Sequence, residues 1–288
     1  MPLPLPASPN KGEETEWRPH KSLKSQIMKN FWMVLLAVIA VAGPMAPADG
    51  QQSPSAPKPA EPPHWGYSGN VGPDRWSALS PAYEMCGLGR NQSPIDLTGF
   101  VAADLKAINL SYGTDAKEIL NNGHTVQVNY APGSSVELDG RVFELKQFHF
   151  HAPSENRIGG KAFPMEGHLV HADKDGNLAV VAVMFAEGKA NAAVATLWKQ
   201  LPAKEGEKFA VASQVNAAGV LPGSRAYYRY NGSLTTPPCS EGVRWLVMKE
   251  PVSVSREQVE AFKKVMGHPN NRPVQPVNAR PILQPRGK

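Results

Sequence analysis

The chain has 288 residues, enough for one large domain or two small ones. Its 30 Lys+Arg against 25 Asp+Glu leave a net charge of +5 with no basic stripe, which excludes an electrostatic footprint for nucleic acid. Hydrophobic residues at 41% exclude a disordered chain, and 28 Pro with 25 Gly favour turns and strands over helix.

In chain order, the first distinctive stretch is FWMVLLAVIAVAG at 31–43, too short for the roughly 20 apolar residues a membrane-spanning helix needs. Lys29 stands before it and Ala46-Pro47-Ala48 after it, the charge, length and exit chemistry of a signal peptide over residues 1–48. An uncleaved anchor is the alternative, and Met28 is an alternative start. Residues 49–63, rich in Pro, Ser and Ala, read as a solvated linker. A single domain is expected over 64–285, with 286–288 as a tail. The two cysteines, Cys86 and Cys239, exclude a CxxC or four-cysteine metal site. In an exported chain they are expected to pair rather than remain free thiols.

Strands are expected at 124–130 and 142–151, which alternate with period two, and at 178–185 and 243–248, which are continuous apolar runs. Asn122-Gly123, Asp139-Gly140 and Asp175-Gly176 are hairpin-type turns beside them. Two helices stand out. Residues 190–201 place Val194, Leu197, Trp198 and Leu201 on one stripe. Residues 256–266 follow an N-cap at Ser255 with Gln258 completing a capping box, and end at Gly267. The expected fold is mainly β (β-rich α+β): one large, mostly antiparallel twisted sheet with short peripheral helices.

The histidines carry the chemistry. His149-Phe150-His151 on a strand puts two imidazoles on one face and the phenyl ring on the other. Glu166-Gly167-His168-Leu169-Val170-His171 is the natural supplier of a third ligand from a neighbouring strand, with Gly159-Gly160 in the loop that lets the two runs pair antiparallel. Three neutral imidazoles suit Zn2+ and leave an open fourth position for water. Gln147 and Glu166 each lie two residues before a candidate ligand, on its face, and are candidates to accept from that ring. A lone HxH is incidental more often than metallic, but HxH with ExH on the next strand is far more specific.

His64-Trp65-Gly66-Tyr67, Gln92-Ser93-Pro94-Ile95-Asp96, Asn121-Asn122-Gly123-His124, Gln147-Phe148-His149-Phe150-His151, Glu166-Gly167-His168-Leu169-Val170-His171 and Gly232-Ser233-Leu234-Thr235-Thr236-Pro237-Pro238 stand in the order of the α-class carbonic anhydrases. The chain resembles that family from His64 to about Pro285, most of all its exported bacterial type. The resemblance implies zinc ligation by His149, His151 and His168. It also implies reversible hydration of carbon dioxide to bicarbonate and a proton, by zinc-hydroxide attack.

Under the resemblance, Thr235 accepts a hydrogen bond from the hydroxide while donating to Glu155, and His124 matches the proton shuttle. Val170, Val180, Leu234 and Trp245 match the apolar wall for carbon dioxide, with Thr235 and Thr236 beside it. Tyr67 and Asn122 match residues that order water, His171 a buried structural histidine, and Cys86 and Cys239 the family's exported cysteine pair. His64 and His268 read as structural or surface groups. The sequence departs from the family at Ala152-Pro153, at Asn156, where a histidine is common, and at Gln127, where many members have Asn. The implied partner is a small-molecule substrate, with no nucleic acid and no membrane after signal removal. The implied location is the periplasm, or outside the cell, and a homodimer stays open because exported relatives are often dimeric. A catalytically silent binding module is the competing class, and ester hydrolysis is a side activity the same site would support.

Overall fold

The computed structural model describes residues 63–286, and the account below concerns those alone. The expected signal peptide, the linker up to residue 62 and the last two residues lie outside the described residues.

Near the start, α1 (Trp76–Leu79) and α2 (Met85–Leu88) are single turns that the sequence reading did not mark. Three short strands follow: β1 (Asp96–Leu97), β2 (Val101–Ala103) and β3 (Asn109–Tyr112). The turn signals then divide the centre of the chain. β4 (Ala116–Asn121) and β5 (Val126–Tyr130) flank Asn122-Gly123. β6 (Ser134–Leu138) and β7 (Arg141–His151) flank Asp139-Gly140, whose φ angles of 52° and 73° are those of a two-residue type I′ turn. After β8 (Arg157–Ile158), β9 (Met165–Ala172) and β10 (Leu178–Glu187) flank Asp175-Gly176.

Helix α3 (Ala192–Trp198) is capped by Asn191, whose side chain accepts from the Val194 N–H. It is shorter than the expected 190–201: Leu201 falls outside it because Pro202 disfavours helical backbone in the residue before it. β11 (Lys208–Ala210), β12 (Tyr227–Ser233), β13 (Glu241–Met248) and β14 (Val252–Val254) lead to α4 (Arg256–Met266). That helix carries the Ser255–Gln258 capping box and ends at Gly267 in the left-handed region, as expected. β15 (Leu283–Pro285) closes the chain.

Thirteen strands form one sheet whose long path runs β11-β4-β5-β7-β9-β10-β13-β12-β15-β2, with β6, β3 and β14 paired beside it. It is mixed but mostly antiparallel, the parallel pairs in it being β10–β13, β10–β14 and β15–β2. On one face α3 and α4 cover a core that includes Phe148, Phe150, Val181, Phe185, Leu197 and Phe262. The other face carries Val180, Ala182, Met184, Trp245 and Val247.

β7 does not keep period two throughout. Leu145 pairs with His171 and Gln147 with Val170, so Lys146 is left out of the ladder as a bulge. Before it Phe143 and Leu145 face the helix-covered core, and after it Phe148 and Phe150 do. The bulge thus switches His149 and His151 to the opposite face from the one an unbroken alternation with Phe143 gives them. Burying a phenylalanine stabilises by roughly 1.5–3 kcal/mol, so Phe148 and Phe150 hold the register behind the imidazoles.

Candidate metal centre

His149 on β7 stands directly opposite His168 on β9, and His151 is two residues along β7 on the same face. Each offers one ring nitrogen, and these atoms lie within 4.8 Å of one another. His151 and His168 are buried, and His149 borders the cavity.

A hydrogen bond on the far side of each ring fixes its tautomer. The His149 Nδ1–H donates to Gln147 Oε1 at 2.9 Å, and the His168 Nε2–H donates to Glu166 Oε1 at 2.9 Å. The His151 Nδ1–H donates to the Asn270 carbonyl at 2.7 Å. Carbonyl and carboxylate oxygens only accept, so the lone pairs of His149 Nε2, His151 Nε2 and His168 Nδ1 are left for the cluster. Burial, with repulsion between neighbouring imidazoles, holds His149 and His168 well below the ordinary imidazole pKa. His151 is also lowered by burial, with the Asn270 bond opposing. Three neutral donors result.

The same region holds polar atoms without partners. His151 Nε2 and Glu155 Oε2 are buried, unbonded and 3.5 Å apart. Unpartnered buried acceptors are rare, and a donor set of this kind fits a cation that completes it.

Glu166 accepts four hydrogen bonds. Besides His168, it takes the backbone N–H groups of Glu155 and Asn156 at 2.7 and 2.8 Å and the Asn156 amide at 2.7 Å. Asn156 also accepts from the Ile95 N–H and the Tyr230 hydroxyl, so the departure from histidine leaves a fully bonded side chain. Burial pushes Glu155 up to about 8 and Glu166 up to about 7 despite these bonds. Glu155 Oε1 accepts from the Arg272 N–H at 2.8 Å. Thr235 reaches near enough to the Glu155 carboxylate for its hydroxyl to lower the Glu155 pKa.

A cavity of about 140 Å³ opens on the cluster, lined by Trp65, Tyr67, Asn122, His124, Thr125, Gln127, Gln147, His149, His151 and Thr236. Tyr67, Asn122, His124 and Thr236 thus share one cavity. Val170, Val180 and Trp245 form a row across β9, β10 and β13 on the metal face, but Val180 and Trp245 are buried beneath the surface. Leu234 packs against the same cluster, partly buried, and Thr235 is buried. Gln127 donates to Asn129 Oδ1 at 2.7 Å and borders the cavity.

His124 lies in the turn, two residues before β5 starts, because Asn122 Oδ1 accepts from the N–H groups of both His124 and Thr125. Its ring lies flat on Trp65, centroids 3.7 Å apart. Burial lowers its pKa, His64 and His268 lower it further, and Glu205 opposes them. His171 belongs to the other face, buried and bonded to the Tyr112 hydroxyl at 2.9 Å, apart from the three-histidine cluster. Asn270 and Arg272 were missed by sequence reasoning. Both sit in a loop without a motif, more than a hundred residues from their partners.

A profile of the eukaryotic-type carbonic anhydrases matches residues 71–286. The chain belongs to the α-carbonic anhydrase family. A carbonic anhydrase of Pectobacterium carotovorum is 51% identical over 220 residues, 76% of this chain and 90% of its own length. One of Neisseria gonorrhoeae is 45% identical over 222 residues, 77% of this chain and 88% of its own length. The α-carbonic anhydrase of Thermovibrio ammonificans, solved with the inhibitor sulfanilamide, aligns with a TM-score of 0.76 at 52% identity. That alignment covers 77% of this chain and 99% of that one. This carbonic anhydrase joins Cys86 to Cys239, as the cysteine count led us to expect. No helix among its described residues is long and apolar enough to cross a membrane.

Proposed function

We propose that His149, His151 and His168 hold zinc and that the enzyme hydrates carbon dioxide reversibly to bicarbonate and a proton. The observation that carries this reading is the orientation of three neutral imidazoles, two of them buried, by three outer acceptors, with His151 Nε2 left unpartnered. Bound there, zinc supplies Lewis acidity that makes a water a nucleophile near neutral pH.

The chain's own residues do the rest. Glu155, when ionised, accepts a hydrogen bond from the Thr235 hydroxyl, so Thr235 can only accept from the nucleophile, whose lone pair is thereby aimed at the substrate. The row Val170, Val180 and Trp245, with Leu234, gives uncharged carbon dioxide an apolar neighbour, and the small cavity suits so small a substrate. Burial and the negative potential of Glu155 hold the Tyr67 hydroxyl protonated, so it can order water with Asn122. One water consumed yields bicarbonate and one proton, and His124 carries that proton out. An imidazole that titrates near neutrality is the side chain for this task.

The leader over 1–48 and the disulfide support export to the periplasm, where thiols oxidise. Stopped-flow hydration of carbon dioxide by the oxidised protein, with zinc measured on the same sample, tests the reading. One zinc per chain with rapid hydration is expected, and His149→Ala should lower the rate about a hundredfold or more. Hydration that persists without zinc or without His149 overturns it.

A further inference from the structure

A row of side chains ties the polar wall of the cavity to the edge of the sheet. β5 lies beside β7, with Gln127 opposite His149 and Asn129 opposite Gln147, so both β5 residues face the metal side. On β4 a bulge leaves Lys117 out of the ladder. Ala116 before it packs in the helix-covered core, whereas Glu118 after it stands opposite Asn129, on the metal side. β11 pairs with β4 from the edge and brings the Lys208 Nζ to 3.5 Å from Glu118 Oε2.

The hydrogen bonds along this row have a direction. An ionised carboxylate only accepts, so Glu118 Oε1 takes an N–H of the Asn129 amide, at 3.1 Å. That turns Asn129 Oδ1 toward Gln127, where it accepts from Gln127 Nε2 at 2.7 Å. Reversing either amide sets oxygen against oxygen, so the carboxylate fixes both. Gln127 Oε1 is left without a partner among the described residues, in a side chain that borders the cavity. Gln147 beside it is held the other way: its Oε1 accepts from His149, which leaves its N–H groups open.

We propose that Gln127 is a specificity-determining residue, held by Glu118 through Asn129 so that it offers the cavity an acceptor and favours water over proton-free anions beside the metal. This role presupposes the zinc site proposed for His149, His151 and His168. Water donates to Gln127 Oε1, whereas an anion without hydrogen can only accept and meets a lone pair there. With the amide reversed, Gln127 would offer N–H groups alone and welcome such an anion. Glu118 acts as a positioning residue from the sheet edge, where its side chain is partly exposed and does not line the cavity.

Glu118→Gln releases the direction, because the new amide can donate to Asn129 as well as accept from it. E118Q/K208Q does so at unchanged net charge. E118Q/N129D restores it, since the new carboxylate accepts from both neighbouring amides. NMR of the 15N-labelled, metal-free full-length protein follows the Gln127 side-chain N–H that is bonded to residue 129. Its exchange with water should be slow in the native chain and in E118Q/N129D, and faster in E118Q/K208Q. On the zinc-loaded enzyme, the thiocyanate inhibition constant should fall roughly threefold or more in E118Q/K208Q and should not fall in E118Q/N129D. Both changes are required. Slow exchange that persists in E118Q/K208Q, or thiocyanate inhibition that stays native there, overturns the proposal. Metal content on the same samples is the separate control: a native chain that binds no zinc defeats the zinc site itself.

Discussion

Leu145 and Phe148, three residues apart on one strand, face the same side of the sheet. Strict alternation forbids this, and the bulge at Lys146 is what allows it. With Lys146 in the chain, the face on which β7 carries His149 and His151 is kept only because this exposed residue is looped out of the ladder. Lys146→Ala, which keeps the backbone count, should bind zinc normally. Deletion of Lys146 should also leave zinc binding intact, because β9 has no residue opposite it and the shortened strand alternates Phe143, Leu145, Phe148 and Phe150 on one face with His149 and His151 on the other. Metal content after refolding with zinc checks this, and a deletion variant that loads no zinc would refute it.

Much of this site was legible in the sequence because its determinants are local. His149, His151, Gln147 and Glu166 follow from spacing of two on strands, and Asn122-Gly123 places His124. Antiparallel pairing of the two histidine runs was expected from the Gly159-Gly160 loop between them, but the register that sets His149 opposite His168 was not. What could not be read depends on contacts between distant segments. The third orienting acceptor is a backbone carbonyl at Asn270, and every residue has one of those. Arg272 closes on Glu155 from 117 positions away. The bulge hides because Lys146 suits an exposed strand position whether or not it pairs. Single-turn helices such as α1 lack the length for a periodic signal.

Glu166 accepts from four donors at once, and only a carboxylate can do that. In Glu166→Gln an amide N–H must face one of those donors. The His168 ring should lose its fixed orientation, and zinc affinity should fall about 10- to 100-fold. Competition with a chelator measures this, and an unchanged dissociation constant would show that Glu166 only holds the Glu155 loop.

His171 gives a pH dependence of stability unconnected with the metal. Burial holds its pKa at about 4, against about 6.5 for an exposed imidazole. Below pH 6.5 the unfolded chain takes up a proton that the folded one refuses, so stability falls as pH drops from 6.5 to about 4 and then levels. The loss is about 3 kcal/mol, at 1.36 kcal/mol for each pH unit. Urea unfolding at pH 7 and pH 4.5 should show a smaller difference in His171→Gln, whose side chain can still accept from Tyr112. Equal differences in the two proteins would remove His171 as the cause.

The disulfide closes a loop of 153 residues and also anchors the segment that carries Thr235. The Cys239 N–H donates to the Thr236 carbonyl at 2.8 Å, and the Cys239 carbonyl accepts from Gln92 Nε2 at 3.0 Å. Gln92 Oε1 and the Cys86 carbonyl both accept from the Arg272 guanidinium, at 2.8 and 2.9 Å. Arg272, buried over Trp76, thus spans both ends of the bridge while its own N–H holds Glu155. Replacing both cysteines by serine should lower unfolding free energy by up to about 4–5 kcal/mol through chain entropy alone. The zinc ligands lie on β7 and β9, so metal content should survive. Thr235 should lose its fixed position opposite Glu155, and hydration per bound zinc should fall roughly tenfold or more. Urea unfolding, zinc content and stopped-flow rates on one sample separate these effects. A full rate per zinc in a destabilised protein would mean that the bridge stabilises the fold without positioning Thr235.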